Sequence, residues 1–144
     1  MKPHPLLRAY MAGAMLPSIF MLVPMSIYAW HQFYLEVPSQ FIFGLPAQPL
    51  VRALVFPMAV IPNVWGLWNV AHLAIRPMAR LPIGAHGALL PIVLIPLGIT
   101  LAGALDVFHI QFWFAAPALP LGMTVYYLLW KYVVAFLNAE VGIA

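Results

Sequence analysis

Four apolar stretches, at about residues 9–30, 50–75, 86–108 and 112–137, each carry a pair of prolines: Pro17 and Pro24, Pro57 and Pro62, Pro91 and Pro96, Pro117 and Pro120. A bilayer-spanning helix needs roughly 20 apolar residues, and every one of the four is long enough. A proline inside a helix removes a backbone donor and crowds the carbonyl one turn back. Membrane helices tolerate this where neighbouring helices, hydroxyls or water satisfy the freed carbonyls. The expected fold is therefore all-α: an integral membrane four-helix bundle of proline-kinked helices, with residues 1–144 forming a single transmembrane domain.

Composition excludes the soluble alternative. With 65% hydrophobic and 6% charged residues, the chain lacks the polar surface that a water-soluble domain of 144 residues presents. The absence of cysteine removes disulfides, thiolate metal sites and thiol chemistry. The pI near 9.5 rests on six basic residues that form no run interleaved with aromatics, so nucleic acid is not an expected partner. Membrane orientation accounts for them instead. Lys2 and Arg8 precede the first stretch, Arg76 and Arg80 lie between the second and third, and Lys131 is near the end of the fourth, which predicts both termini in the cytoplasm. A bacterial cytoplasmic membrane suits that pattern. The first stretch exceeds the roughly 7 to 15 apolar residues of a signal-peptide core, and no small-x-small cleavage site follows it before Trp30 and His31, so it is read as a retained helix. Trp30 and Trp113 fall at the outer interface and Trp68 and Trp130 at the inner one, where amphipathic rings rest.

The connections differ in kind. The inner turn from Arg76 to Pro82 is short and bounded by prolines, which makes the second and third helices antiparallel neighbours. The outer loop, residues 31–49, contains Pro38, Gly44, Pro46 and Pro49 yet is rich in Phe33, Tyr34, Leu35, Phe41, Ile42, Phe43 and Leu45. It is expected either to lie on the outer leaflet or cap the helices, or to form a partner-binding surface.

Gly13-Ala14-Met15-Leu16-Pro17 near the start of the first helix resembles Gly87-Ala88-Leu89-Leu90-Pro91 near the start of the third. The match points to a tandem repeat of a two-helix hairpin about an axis along the membrane normal. Ala9 with Gly13, and Gly98 with Ala102, stand four apart, the small-residue spacing that lets helix backbones approach within a bilayer. Such faces seat internal contacts or self-association.

Polar groups at membrane depth carry the remaining functional information. On the second helix Trp65, Asn69 and His72 share one face, and Asn63 is a further polar residue of the same helix; this set is the ligand or transport candidate, with structural hydrogen bonding as the alternative role. His31, Glu36, Arg52, Asp106 and His109 form an outer polar cluster candidate. Within it Arg52 is expected to pair with Glu36 or Asp106 and pin the outer loop. His72 and His86 are the one pair with a matching depth that a haem would need, but the repeated, spaced histidines of a haem bundle are missing. No metal site and no cofactor are assigned.

No nucleophile, base and orienter occur together, no two carboxylates share a span, and no glycine-rich phosphate loop is present. Ser18, Ser26, Thr100 and Thr124 are isolated hydroxyls expected to bond their own helices. The expected function is non-enzymatic: a small structural or accessory subunit of a larger membrane complex. A homo-oligomeric transporter or channel using the polar face of the second helix is the alternative, and a haem- or metal-binding membrane protein the third. Its partners are then membrane lipids and other membrane subunits or further copies of itself.

Overall fold

A computed structural model describes residues 4–34, 41–42, 45–78, 80–104, 113 and 115–143, without the side chains at 32, 41–42, 45–59, 102 and 115. Glu36, Asp106 and His109, and the side chain of Arg52, lie outside the described residues. The chain is helical throughout its long segments. Helix α1 runs Pro5–Phe33 and α2 runs Ala47–Ile75, each of 29 residues. Between them the short antiparallel ladder of β1 (Phe41–Ile42) and β2 (Leu45–Pro46) pairs Phe41 with Pro46. Then follow α3 (Ile83–Ala88), α4 (Leu90–Ala104), α5 (Ala115–Leu128), a π turn (Leu129–Val134) and α6 (Ala135–Glu140).

Among the described residues three helical segments are long and apolar enough to cross a membrane: Pro5–His31, Ile83–Leu101 and Ala116–Glu140. The chain is thus a membrane protein by length and composition of its helices. Pro17 and Pro24 lie inside α1, Pro96 inside α4 and Pro120 inside α5. Ser18 and Thr124 donate to the carbonyls of Ala14 (2.7 Å) and Pro120 (2.9 Å), as isolated hydroxyls in apolar helices do.

The two resembling pentapeptides fold differently. The stretch containing Gly13 and Pro17 stays within α1, whereas the chain breaks at Leu89 between α3 and α4. Pro91, in the first turn of α4, has no N–H to offer the turn before it, and the junction closes instead through tighter bonds from Leu89 N to His86 O and from Ile92 N to Leu89 O, both 3.2 Å.

Glycines set the closest helix approaches. A Cβ on Gly13 would stand 2.6 Å from the Trp65 carbonyl and 2.8 Å from Asn69 Cβ, and the Tyr10 ring covers Gly66 just as closely from the other side. Residues Ala9, Ala12 and Gly13 of α1 thereby lie directly on α2. Across the molecule Gly87 of α3 lies under the Trp130 ring, and Gly84 faces Tyr127 and Lys131. Gly98 behaves otherwise: nothing stands within 4 Å of where its Cβ would be, so its face seats no internal contact among the described residues.

The apolar core is Trp65, Leu90, Trp130 and Val134, with Leu16, Ile61, Val64, Leu94 and Tyr126 around it. It joins α1, α2, α4, α5 and the π turn near the end of the molecule that holds both termini. Trp130 is wholly buried there, not at an interface as its position beside Lys131 suggests, because the missing side chain of Gly87 leaves room for its ring. Toward the far end large apolar groups face outward, including Phe20, Val23 and Trp30 on α1 and Leu121 on α5.

At the terminal end the chain closes on itself. Gly142, at φ +69°, supplies the left-handed residue of a helix stop in which Gly142 N bonds Ala139 O (2.9 Å) and Ile143 N bonds Asn138 O (2.9 Å). Arg8 Nη1 then donates to the carbonyls of Val141 (2.6 Å) and Gly142 (3.2 Å), fastening α1 to the residues after α6.

Candidate functional site

The face of α2 bearing Trp65, Asn69 and His72 is buried, at 4%, 1% and 8% exposure. Spacings of four and three residues keep these side chains on one side of a 3.6-residue helix, and that side meets α1, α3 and the π turn. Asn63 is not with them. It is exposed on the flank toward α1, where the Tyr10 hydroxyl donates to its Oδ1.

The partner of Asn69 is Asn138 of α6. Asn69 Nδ2 donates to Asn138 Oδ1 at 2.7 Å, Asn138 Nδ2 donates back to Asn69 Oδ1 at 3.1 Å, and Asn69 Nδ2 also donates to the carbonyl of Ala9 at 2.8 Å. Three helices are thus tied by one pair of amides. Asn138 has no special standing in the sequence, since the stripe Tyr126, Trp130, Val134, Asn138 is spaced by four and drifts about 40° per step on a regular helix. The π turn takes up that drift: Ala135 N reaches back to Trp130 O across the wider turn, and Trp130, Val134 and Asn138 are all buried together.

Above the amides lies an aromatic and imidazole cluster. Trp68 Nε1 donates to the carbonyl of His86 (3.0 Å) and His86 Nε2 contacts the carbonyl of Trp68 (3.1 Å), with the rings stacked at 4.9 Å. A carbonyl only accepts, so His86 carries its proton on Nε2 and presents a bare Nδ1. The His72 ring centre is 4.8 Å from that of His86. Nδ1 of both histidines is buried without a hydrogen-bond partner, as is Nε1 of Trp130. Trp65 Nε1 makes a long contact to the Tyr126 hydroxyl, 3.4 Å.

This geometry does not fit a haem between His72 and His86. Two axial bonds of about 2 Å each on opposite sides of an iron hold the ring centres well beyond 4.8 Å, and His86 Nε2 is already engaged by Trp68. Among the described residues no three His, Cys, Asp or Glu side chains gather as a metal site.

His72 and Asn138 also line a cavity of about 230 Å³ at the terminal end. Arg76, one turn beyond His72, lies at its wall; Leu81 and Ile83 of the connection into α3 form a second side, and Ile143, turned inward by the stop at Gly142, a third. Among the described residues no acidic side chain lines it. Arg76 has no side-chain partner among the described residues, whereas Arg8 is held by the terminal carbonyls and Lys131 lies over the rings of Tyr127 and Tyr132 at 5.5 and 5.2 Å.

Of the outer polar cluster only His31 has a described side chain, and it is exposed. No family model, curated protein or solved structure matches this chain.

Proposed function

We propose that the chain is a non-enzymatic four-helix membrane protein of a bacterial inner membrane, with both termini in the cytoplasm, acting as a small accessory subunit of a larger membrane complex. The observation that carries this reading is the sparse burial of its own spans: only 11% of the apolar window in Ala116–Glu140 and 22% of that in Pro5–His31 are covered by the chain itself. Lipid covers bulky apolar side chains well. The bare backbone at Gly98 and Gly103, where nothing among the described residues stands within 4 Å of an added Cβ, is the kind of surface against which another helix packs. The gathering of Arg8 and Arg76 at the terminal end supports the orientation, and the prolines inside α1, α4 and α5 support bent helices. The tandem repeat rests on the resemblance of the two pentapeptides alone, since Gly13 lies on the backbone of α2 at Trp65 whereas Gly87 lies under the Trp130 ring of the π turn. Purification from native membranes in mild detergent, followed by intact-complex mass measurement, tests the proposal. A foreign membrane subunit at fixed stoichiometry is the expected result; copies of this chain alone refute it.

The second reading, a homo-oligomeric transporter or channel, is favoured by one observation: buried His72 and Asn138 form the floor of a cavity at one end. In that case the self-assembled protein carries an ion or solute flux across liposomes, and His72→Leu abolishes it.

A further inference from the structure

The cavity at the terminal end offers donors and a positive charge, Arg76, that has no acidic partner among the described residues. Arg76 supplies a planar fork of N–H groups matched to the paired oxygens of a phosphate or carboxylate. Asn138 uses one N–H on Asn69 and retains the second, because an amide carries two. His72, at 8% exposure, lines the same cavity, with its unpartnered Nδ1 enclosed by the protein. The acceptor side is already occupied: Asn138 Oδ1 is taken by Asn69 Nδ2. Among the described residues a cation therefore meets an arginine and no carboxylate, while an oxyanion meets the donors of Arg76 and Asn138. The apolar walls, Leu81, Ile83 and Ile143, suit the carbon attached to such an anion. The volume of about 230 Å³ falls below the roughly 300 Å³ at which drug-sized ligand pockets begin, which limits the occupant to a single small group.

We infer that this cavity binds one oxyanion, a phosphate group presented either by an anionic lipid headgroup or by a small soluble phosphate, with Arg76 carrying the charge recognition and Asn138 orienting the oxygens. The site serves a subunit and a transporter equally and rests only on the chain being membrane-embedded. Basic pockets between membrane helices at the cytoplasmic level hold lipid headgroups by this same chemistry.

The test uses full-length protein delipidated in a neutral detergent. Native mass measurement counts bound phosphatidylglycerol against phosphatidylcholine, and tryptophan fluorescence follows titration with inorganic phosphate, since Trp68 stacks on the histidine beside the cavity. Saturable uptake of one phosphatidylglycerol in preference to phosphatidylcholine identifies the lipid source; saturable phosphate binding without lipid preference identifies the soluble one. In either case Arg76→Gln weakens the affinity by about tenfold or more, the effect of losing a charged hydrogen-bonding partner. Arg80→Gln, which is exposed like Arg76 but is not part of the cavity wall, leaves it unchanged. Absence of saturable binding by the unmodified protein overturns the inference, as does equal affinity in Arg76→Gln or equal loss in Arg80→Gln. Failure of the membrane reading has a separate signature, namely protein that stays dispersed in buffer after the detergent is removed.

Discussion

Replacing Asn69 by leucine tests whether the amide pair, and not the apolar contacts around it, joins α1, α2 and α6. The substitution deletes the bonds to Ala9 O, to Asn138 Oδ1 and from Asn138 Nδ2. The Ala9 carbonyl lies inside α1 and keeps its helical partner, so its loss is minor. Asn138, at 6% exposure, is left with both halves of its amide unpaired. Each such buried group costs about 1 to 3 kcal/mol, giving about 2 to 6 kcal/mol. Interhelical hydrogen bonds in membrane proteins average only about 0.6 kcal/mol because the separated helices find other partners, which draws the expectation to about 2 to 4 kcal/mol. Asn138→Leu is expected to behave alike. The double replacement leaves no orphaned amide, so its cost falls short of the sum of the two singles by about 1 to 3 kcal/mol. The measurement is unfolding in mixed micelles of rising sodium dodecyl sulfate content, followed by circular dichroism, for all four proteins. Additivity within about 0.5 kcal/mol, the behaviour of independent sites, would show that the two amides do not cooperate and refute the reasoning.

Gly13→Ala pushes a methyl group into the backbone of α2 at 2.6 Å and is expected to lower stability by about 1 to 3 kcal/mol, whereas Gly98→Ala, in open space within α4, is neutral or stabilising by up to about 1 kcal/mol in the isolated protein; the same unfolding titration separates them. If another subunit covers the Gly98 face, the two variants converge in a different assay, because Gly98→Ala then reduces recovery of the foreign subunit on native purification. Arg8→Gln removes the bonds to Val141 and Gly142, and limited carboxypeptidase digestion should then trim the chain back through residue 141 several times faster while the helical content stays constant.

The legibility of this protein in its sequence follows the regularity of its helices. Trp65, Asn69 and His72 are recognisable as one buried face because their spacing fits an undisturbed helix, and α2 is undisturbed there. Asn138 escapes the same reasoning: its alignment with Trp130 depends on a π turn, and no residue type in Leu129–Val134 announces one. Trp130 reads as interfacial from its neighbours in sequence, and only the facing Gly87, 43 positions earlier, reveals the space that draws its ring inward. The small-residue rule singles out both Ala9 with Gly13 and Gly98 with Ala102 and leaves open whether each face meets the chain itself or another copy; the structure puts the first on α2 and finds no described residue against Gly98. The difference is the opposite surface: α2 brings Gly66 to the first site, and nothing in the described chain approaches the second. The helix expected over 86–108 begins earlier and is broken at Leu89, since Pro91 acts on the turn before it.

The ties from Arg8 to Val141 and from Asn69 to Asn138 span 133 and 69 positions. What is made first is therefore secured by what is made last. During synthesis α1 and α2 meet at once through Gly13 and Gly66, but the guanidinium of Arg8 and the amide of Asn69 wait for residues beyond 137. At about 5 to 20 residues per second that interval lasts several seconds. For that time Arg8 lacks the carbonyls and Asn69 the amide that hold them in the finished fold, so the hairpin of α1 and α2 must wait, with these polar groups unmet by the chain, for its last residues to arrive.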